Sequence, residues 1–151
     1  MSTQKDLEFM RRALELAALA AERGDVPVGA VIVKDGEIIS EGYNLREQNN
    51  LATAHAEMIA IDRACERLGG WHLCGCTLYV TLEPCPMCAG ALINSRVERV
   101  VFGLRDAKAG CLGSVLNMNR YPFNHAFEIT EGVMAEESAK LLSEFFAKRR
   151  K

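Results

Sequence analysis

The sequence predicts a three-layer α/β/α sandwich, in which helices cover both faces of a mixed five-stranded sheet. Three observations support this fold class: amphipathic helical patterns at both ends, an Asp-Gly turn between short apolar runs, and a strand-helix-strand order in residues 77–102. The turn indicates an antiparallel hairpin. The strand-helix-strand unit implies parallel strands joined by a right-handed crossover.

The first elements are expected to be a helix and a hairpin. Thr3 and Asp6 form a possible capping pair, and Gly24 lies where the opening helix would stop. Residues 28–39 contain two apolar runs around Asp35-Gly36, which is a strong hairpin signal. Two antiparallel strands should therefore follow the opening helix.

The later elements alternate between helices and strands. A helix is predicted over residues 54–68, with His55 in its first turn and an apolar stripe of Met58, Ile61, Cys65 and Leu68. The other predicted elements are strands over 77–82 and 97–102, a helix over 86–93, an edge strand over 127–130 and a closing helix from 135 to about 150. That closing helix should face inward with Ala139, Leu142, Phe145 and Phe146.

The composition is that of one folded unit. Of the 151 residues, 49% are hydrophobic and 25% charged, so residues 1–151 are expected to form a single domain with one core. Neither a signal peptide nor a membrane span is visible, which predicts a cytoplasmic protein without membrane contact. Six cysteines in such a protein indicate metal binding or burial rather than a disulfide framework.

Charge is unevenly distributed along the chain. A net charge of −2 argues against indiscriminate binding to nucleic acid. The chain nevertheless ends in a basic tail formed by Lys148, Arg149, Arg150 and Lys151. Taken alone, this tail is interpreted as a solvated helix end whose cations complement the helix dipole.

Cys85 and Cys88 have the spacing of two ligands of one metal ion. They lie three residues apart, on one face of a helix's first turn, as tetrahedral zinc requires. Pro84 and Pro86 mark a turn from strand into helix at this point. The pair alone is ambiguous, because redox pairs and half of a structural zinc site have the same spacing.

His55 and Glu57 favour catalytic zinc. His55 would join the two cysteines as a third ligand and leave the fourth position of zinc for water, whose pKa the metal lowers to about 7. Glu57 would lie close enough to move protons without binding the metal. H-x-E followed by P-C-x-x-C is the signature of zinc deaminases that act on nucleobases.

A structural zinc held by four cysteines is the alternative. Cys74 and Cys76 would join Cys85 and Cys88, but a strand over residues 77–82 would separate the two pairs by roughly 20 Å. Cys65, Cys74, Cys76 and Cys111 are therefore interpreted as ordinary thiols, and His72 and His125 as structural or substrate-side residues.

Six segments closely resemble the bacterial adenosine deaminases specific for transfer RNA, a family of the cytidine deaminase superfamily. They are residues 27–33 (PVGAVIV), 53–57 (TAHAE), 78–90 (LYVTLEPCPMCAG), 99–103 (RVVFG), 105–108 (RDAK) and 145–146 (FF). The zinc motifs occur throughout the superfamily, whereas the other segments are typical of this family. Many members have Asp-Pro where this chain has Leu51-Ala52.

The resemblance implies a cytidine deaminase-like fold and a homodimer with one Zn²⁺ per subunit. The implied reaction converts adenosine to inosine at the wobble position of a tRNA anticodon stem-loop, typically of an arginine tRNA. In this resemblance Asn44 reads the base and the backbone of Ala56 lies beside the attacked carbon. The other implied RNA contacts are Asp106, Lys108, Asn124, Phe146 and Arg149. The basic tail would then neutralise phosphates beside a looped-out base.

Two other functions remain open from the sequence. A deaminase of a free base or nucleotide, such as guanine or cytosine, would use the same zinc chemistry without needing Arg105, Lys108 or the basic tail. A non-catalytic RNA-binding subunit would have no need of a proton carrier at Glu57.

Overall fold

A mixed five-stranded sheet forms the centre of the computed structural model, which describes residues 3–149. The strands are β1 (Gly29–Lys34), β2 (Glu37–Tyr43), β3 (Cys76–Leu82), β4 (Arg99–Leu104) and β5 (Glu128–Thr130). Their order across the sheet is β2-β1-β3-β4-β5. β1 is antiparallel to β2 and β3, whereas β3, β4 and β5 run parallel to one another. The predicted mixed sheet is confirmed.

Helices cover both faces of this sheet. They are α1 (Gln4–Glu22), α2 (Arg46–Asn49), α3 (Ala56–Leu68), α4 (Pro86–Asn94) and α5 (Ala135–Arg149). On one face, α1 and α5 pack over a core that includes Met10, Val101 and Val133. On the other, α3 and α4 pack over a core that includes Leu78 and Phe102. Within residues 3–149, no helix is both long and apolar enough to cross a bilayer.

The opening helix and hairpin form as predicted. The Thr3 hydroxyl accepts a hydrogen bond from the Asp6 N–H, and the Asp6 carboxylate accepts one from the Thr3 N–H, each over 3.1 Å. This capping box begins α1. Asp35 and Gly36 both have positive φ, 51° and 77°, as the two central residues of a type I′ hairpin turn require.

Helix α3 begins two residues later than predicted and buries a different face. The buried residues are Ala56, Glu57, Ala60, Ile61 and Ala64, so Ile61 is the only member of the predicted stripe among them. Gly42 explains this, because a Cβ there would lie 2.5 Å from the Ala56 carbonyl oxygen and 2.9 Å from the Ala60 nitrogen. The helix thus approaches β2 so closely that only small side chains fit between them.

Other boundaries also differ from the predictions. β4 begins at Arg99 rather than at residue 97, and Cys76 begins β3 instead of lying in the preceding loop. Helix α5 buries Phe145 but leaves 42% of Phe146 exposed. Adjacent residues of an α-helix point about 100° apart, so Phe145 and Phe146 cannot both face the core. The short α2 and a 3₁₀ turn at Met118–Arg120 were not predicted.

The termini of six elements meet at one edge of the sheet. β2, β3 and β4 end at this edge and β1 begins there, while α3 and α4 both begin beside it. Ligands of open α/β sheets bind beyond the carboxyl ends of parallel strands, which for this chain are the ends of β3 and β4.

Candidate metal centre and active site

The three predicted metal ligands lie at the starts of two helices. His55 has extended backbone angles, φ −78° and ψ 151°, and immediately precedes α3, so it is not in the first turn as predicted. Cys85 likewise immediately precedes α4, with φ −77° and ψ 177°. Cys88 lies in the first turn of α4 and is fully buried. Both helices therefore direct their positive ends toward this group, which favours thiolates.

The separations between these side chains fit zinc. The Sγ atoms of Cys85 and Cys88 each lie 3.6 Å from Nδ1 of His55, and all three ligand atoms lie within 4.8 Å of one another. Tetrahedral zinc with Zn–S of about 2.3 Å and Zn–N of about 2.05 Å would hold sulfur and nitrogen about 3.6 Å apart. The donor set and its spacing therefore suit one Zn²⁺, with a fourth position open.

Proton affinities in this group are strongly shifted. Hydrogen bonding from Cys88, aided by His55, lowers the pKa of Cys85 to about 4. The same contact with Cys85 raises the pKa of Cys88, and burial adds to that effect. The hydrogen bond with Cys85 also raises the pKa of His55. The Cys85 thiolate is thus stabilised by the protons on Cys88 and His55, and a bound divalent cation would take the place of those protons.

Glu57 is a buried carboxyl group beside the three ligands. It lies in the first turn of α3, and only 4% of its surface is exposed. Burial raises the pKa of Glu57 to about 7. Glu57 lines the same cavity as His55 and Cys85. It is therefore placed to exchange protons with a molecule bound at the metal ligands.

The cavity has a volume of about 220 Å³. This is below the range of roughly 300–1,000 Å³ for drug-sized ligands and suits a single ring system. Its lining residues are Val26, Val28, Asn44, Arg46, His55, Glu57, Leu82, Glu83, Cys85, Asp106 and Ala109. The structure thus brings Asn44 and Asp106, two of the predicted substrate contacts, to the metal ligands.

Asn44 connects three segments around the cavity. Its side-chain oxygen accepts a hydrogen bond from the Ala56 N–H over 2.8 Å, and its amide nitrogen donates to the Val26 carbonyl over 3.1 Å. Asn44 is 6% exposed and Ala56 is fully buried. One N–H of the Asn44 amide therefore holds the protein backbone, and the second remains available to a ligand, because Asn44 lines the cavity.

A second cavity adjoins the first and contains two more predicted contacts. Its volume is about 470 Å³, and it shares Val26, Leu82, Asp106 and Ala109 with the first cavity. Arg105, Lys108, Leu142 and Phe146 complete much of its lining. This cavity combines cationic side chains with an exposed aromatic ring, and it adjoins the cavity that His55 and Cys85 line.

Asp106 shapes the wall between the two cavities. Its carboxylate accepts hydrogen bonds from the backbone N–H groups of Lys108 and Ala109, over 3.1 and 3.2 Å. The family resemblance implied a contact to nucleotides for Asp106. The structure adds a backbone role, because the same carboxylate closes the turn that carries Lys108.

Arg149 and Asn124 lie outside both cavities. The Arg149 guanidinium donates to the Gly24 carbonyl over 3.0 Å and stacks 4.8 Å from the centre of the Phe145 ring. Asn124 lines a separate depression with Trp71 and Phe123. Of the rest of the basic tail, Lys148 is an exposed residue of α5, whereas Arg150 and Lys151 lie outside the described residues.

The remaining cysteines do not extend the metal group. Within the described residues, the only group of three or more candidate ligand atoms at metal-binding separation is His55, Cys85 and Cys88. Cys76 is buried at the start of β3, and Cys74 is exposed. His125 interacts with the Val97 carbonyl over 2.6 Å, and His72 stacks on Trp71. The four-cysteine alternative is not supported by this geometry.

Two charged residues of the cavity, Arg46 and Glu83, were not among the predicted site residues. Arg46 lines the cavity with a buried Nε that has no hydrogen-bond partner among the described residues. Glu83 is 2% exposed and accepts hydrogen bonds from the segment after β4. A signal for Glu83 was available, since a carboxylate directly before Pro84-Cys85 is unusual for a buried strand end. No local pattern marked Arg46.

Comparison with known families agrees with this site. A model of the cytidine and deoxycytidylate deaminase zinc-binding region matches residues 3–104. The match includes the starts of α3 and α4 and four of the five strands. Fold and site together therefore define a zinc-dependent deaminase.

Relatives narrow the family further. A tRNA-specific adenosine deaminase of Bacillus subtilis is 53% identical over 150 residues, covering 99% of this chain and 92% of that protein. A solved structure from a study of A-to-I editing by deaminases at the wobble position of transfer RNA matches with a TM-score of 0.87 and 43% identity, covering 89% of this chain and 99% of that one. The chain belongs to the tRNA-specific adenosine deaminases.

The same fold also occurs in a guanine deaminase from Nitrosomonas europaea. That structure matches with a TM-score of 0.78 at 24% identity, covering 97% of this chain and 86% of that one. At this identity the likeness concerns the fold alone.

Proposed function

We propose that this chain hydrolyses adenosine to inosine at the wobble position of a tRNA anticodon, with an arginine tRNA as its substrate. Residues 1–151 would act as one zinc-dependent domain in a cytoplasmic homodimer. The observation that carries the proposal is the buried Glu57 beside His55, Cys85 and Cys88, in a cavity of about 220 Å³. The choice of an arginine tRNA rests on the resemblance of the sequence motifs.

The chemistry divides between the metal and Glu57. Zinc held by His55, Cys85 and Cys88 supplies Lewis-acid activation of a water molecule. Glu57 accepts a proton from the attacking water and delivers protons to the ring nitrogen and to the leaving amine. The balance is adenosine plus water giving inosine plus ammonia. Glu57 is only 4% exposed, so little bulk water reaches its carboxyl group.

One feature of each of the two cavities supports RNA as the substrate. Lys108 and Phe146 line the adjoining cavity, and a cation beside an aromatic ring is a combination that binds looped-out nucleotides. Arg46 adds a positive charge to the inner cavity with one donor still unpaired among residues 3–149. A polynucleotide would occupy both cavities, whereas a free base would fill only the first.

The remaining RNA contacts extend this model of binding. We assign base recognition to Asn44 and Ala56, flanking contacts to Asp106, Lys108 and Phe146, and backbone contacts to Arg149. Asn124 lines a depression with Trp71 and Phe123, and this depression contains none of the metal ligands. Its proposed contact would therefore involve RNA that extends beyond the two cavities.

Deamination of a free base is the second candidate. It is favoured by the small inner cavity, which suits a single ring system. The zinc ligands and Glu57 would serve this reaction equally well. The adjoining cavity with Lys108 and Phe146 distinguishes the two, because a free base makes no use of it.

The decisive experiment compares substrates on the zinc-loaded protein. Arginine tRNA with adenosine at the wobble position, the same tRNA with guanosine there, and free adenosine, cytidine and guanine are each incubated with enzyme. Inosine formation and ammonia release are measured. We expect conversion of the first tRNA only. Ammonia release from a free base with an unreacted tRNA would overturn the proposal and withdraw the RNA contacts.

A further inference from the structure

We propose that Glu83 is a positioning residue that fixes the substrate-side wall of the cavity to the segment carrying the zinc cysteines. The inference rests on the proposed deamination of RNA and adds a residue that governs substrate binding. Glu83 would do so without touching the substrate's reacting atoms.

The Glu83 carboxylate is fully engaged by one segment of chain. Its Oε1 accepts hydrogen bonds from the Asp106 N–H over 3.0 Å and from the Ser114 hydroxyl. Its Oε2 accepts from the N–H groups of Leu112 and Ser114, over 2.9 and 3.0 Å. Four donors, rather than a cation, therefore stabilise this buried carboxylate.

Two neighbouring contacts strengthen the attachment. The Cys111 N–H donates to the Pro84 carbonyl over 2.9 Å, one residue beyond Glu83. A Cβ at Gly110 would overlap the Glu83 carboxyl group, so the backbone passes directly against this side chain. Residues 106–114 thus lie against the segment that leads into Cys85.

This attachment sets the shape of the cavity. Asp106 and Ala109 belong to the attached segment and line the cavity, whereas His55 and Glu57 reach it from α3 on the other side. Glu83 therefore connects the segment that carries Cys85 and Cys88 to the cavity wall against which a base would pack. Wall contacts act equally on the bound substrate and on the transition state, so their loss should raise KM more than it lowers kcat.

Glu83→Gln is the direct test, because it keeps the side-chain volume and replaces one acceptor oxygen by a donor. That donor would face N–H groups and leave at least one of them unsatisfied, which weakens the attachment of residues 106–114. We expect KM for the tRNA to rise about tenfold. Zinc content should stay at one per chain and kcat should change by less than about threefold. Glu98→Gln, at an exposed carboxylate where β4 begins, is the matched control and should behave as wild type.

Amide hydrogen exchange gives a readout that general destabilisation would not reproduce. In Glu83→Gln the amides of Asp106, Leu112 and Ser114 should exchange about tenfold faster, while those of α3 keep the wild-type rate. Ser114→Ala removes one donor and should shift KM and exchange in the same direction by less. If Glu83→Gln fails to fold, Ser114→Ala carries the test.

Several results would overturn the inference. They are loss of zinc in Glu83→Gln, a fall in kcat at constant KM, or unchanged KM and exchange in both variants. The proposed function fails on a different result. A wild-type protein that is inactive on tRNA but active on a free base would refute the proposed function and not the role of Glu83. The same KM comparison with that base would then still test Glu83.

Discussion

The side-chain oxygen of Asn44 accepts a 2.8 Å hydrogen bond from the backbone N–H of Ala56, the first residue of α3. The N–H groups in the first turn of a helix have no partner within the helix, so this contact satisfies one of them. It also ties the end of β2 to the residue that follows His55. The position of the zinc histidine therefore depends on Asn44.

Replacing Asn44 with Ala should destabilise the fold and weaken zinc binding. The buried Ala56 N–H would lose its acceptor, at about 1–3 kcal/mol of unfolding free energy. Urea denaturation of the zinc-loaded and zinc-free proteins measures both effects. Asn49→Ala, at an exposed position of α2, is the control. Unchanged stability in Asn44→Ala would contradict the link between Asn44 and His55.

The metal ligands can be tested by metal content. Elemental analysis should find one zinc per chain in wild type and far less in His55→Ala and Cys88→Ala, because two protein ligands hold zinc weakly. Cys74→Ser should retain the metal. A chelator should abolish turnover, and added Zn²⁺ should restore it. Zinc lost from Cys74→Ser but kept in His55→Ala would restore the four-cysteine alternative.

Glu57 should be required for turnover and dispensable for binding. Glu57→Ala and the isosteric Glu57→Gln are both expected to lower kcat by at least about 10²-fold, since general acid–base catalysis contributes about 10²–10⁴. Zinc content and tRNA affinity should remain close to wild type. Single-turnover assays and binding titrations on the same preparations separate the effects. A fully active variant would refute the mechanism.

Local patterns predicted the parts of the fold that local interactions determine. The capping box of Thr3 and Asp6 and the turn at Asp35-Gly36 each depend on residues that are close together in the chain. The sequence alone therefore indicated both. The ligands of the candidate site were likewise predicted, because their spacing is a chemical requirement of zinc.

Features that depend on distant segments were not accessible from the sequence. The buried face of α3 is set by Gly42 on β2, which no helical periodicity within residues 54–68 can reveal. Glu83 meets its four donors more than 20 residues further along the chain. Such contacts follow from the assembled sheet and the segment after β4, and only the three-dimensional structure shows them.

Acid should destabilise the protein partly through Asp6. Its carboxylate is 1% exposed and accepts hydrogen bonds from Arg99 over 2.9 and 2.8 Å and from the Tyr79 hydroxyl over 2.7 Å. Burial alone would raise the pKa of Asp6, but these bonds and the Thr3 N–H lower it from 3.8 to about 2. Because the pKa is depressed on folding, the stabilisation is present above about pH 4 and is lost as the pH falls toward 2.

Asp6→Asn isolates this contribution. The variant should be less stable than wild type at neutral pH by about 2 kcal/mol or more, and the difference should shrink between about pH 4 and pH 2. Urea titrations of both proteins over this range measure it, and loss of zinc in acid affects both alike. Asp62→Asn, at an exposed position of α3, should give no such pH-dependent difference. A constant difference across the range would exclude Asp6 as the titrating group.

Lys108 should contribute to RNA binding through charge alone. It lines the cavity next to the metal ligands and is exposed, so a phosphate of the bound strand can approach it. Lys108→Ala should reduce the slope of log affinity against log salt concentration by about 0.7, as expected for one fewer contact to single-stranded phosphate. Lys5→Ala removes another exposed lysine, at the start of α1, and should leave the slope unchanged. If both variants keep the wild-type slope, the adjoining cavity does not bind the RNA backbone; if Lys108→Ala alone lowers it, the substrate extends beyond the single base held at Glu57.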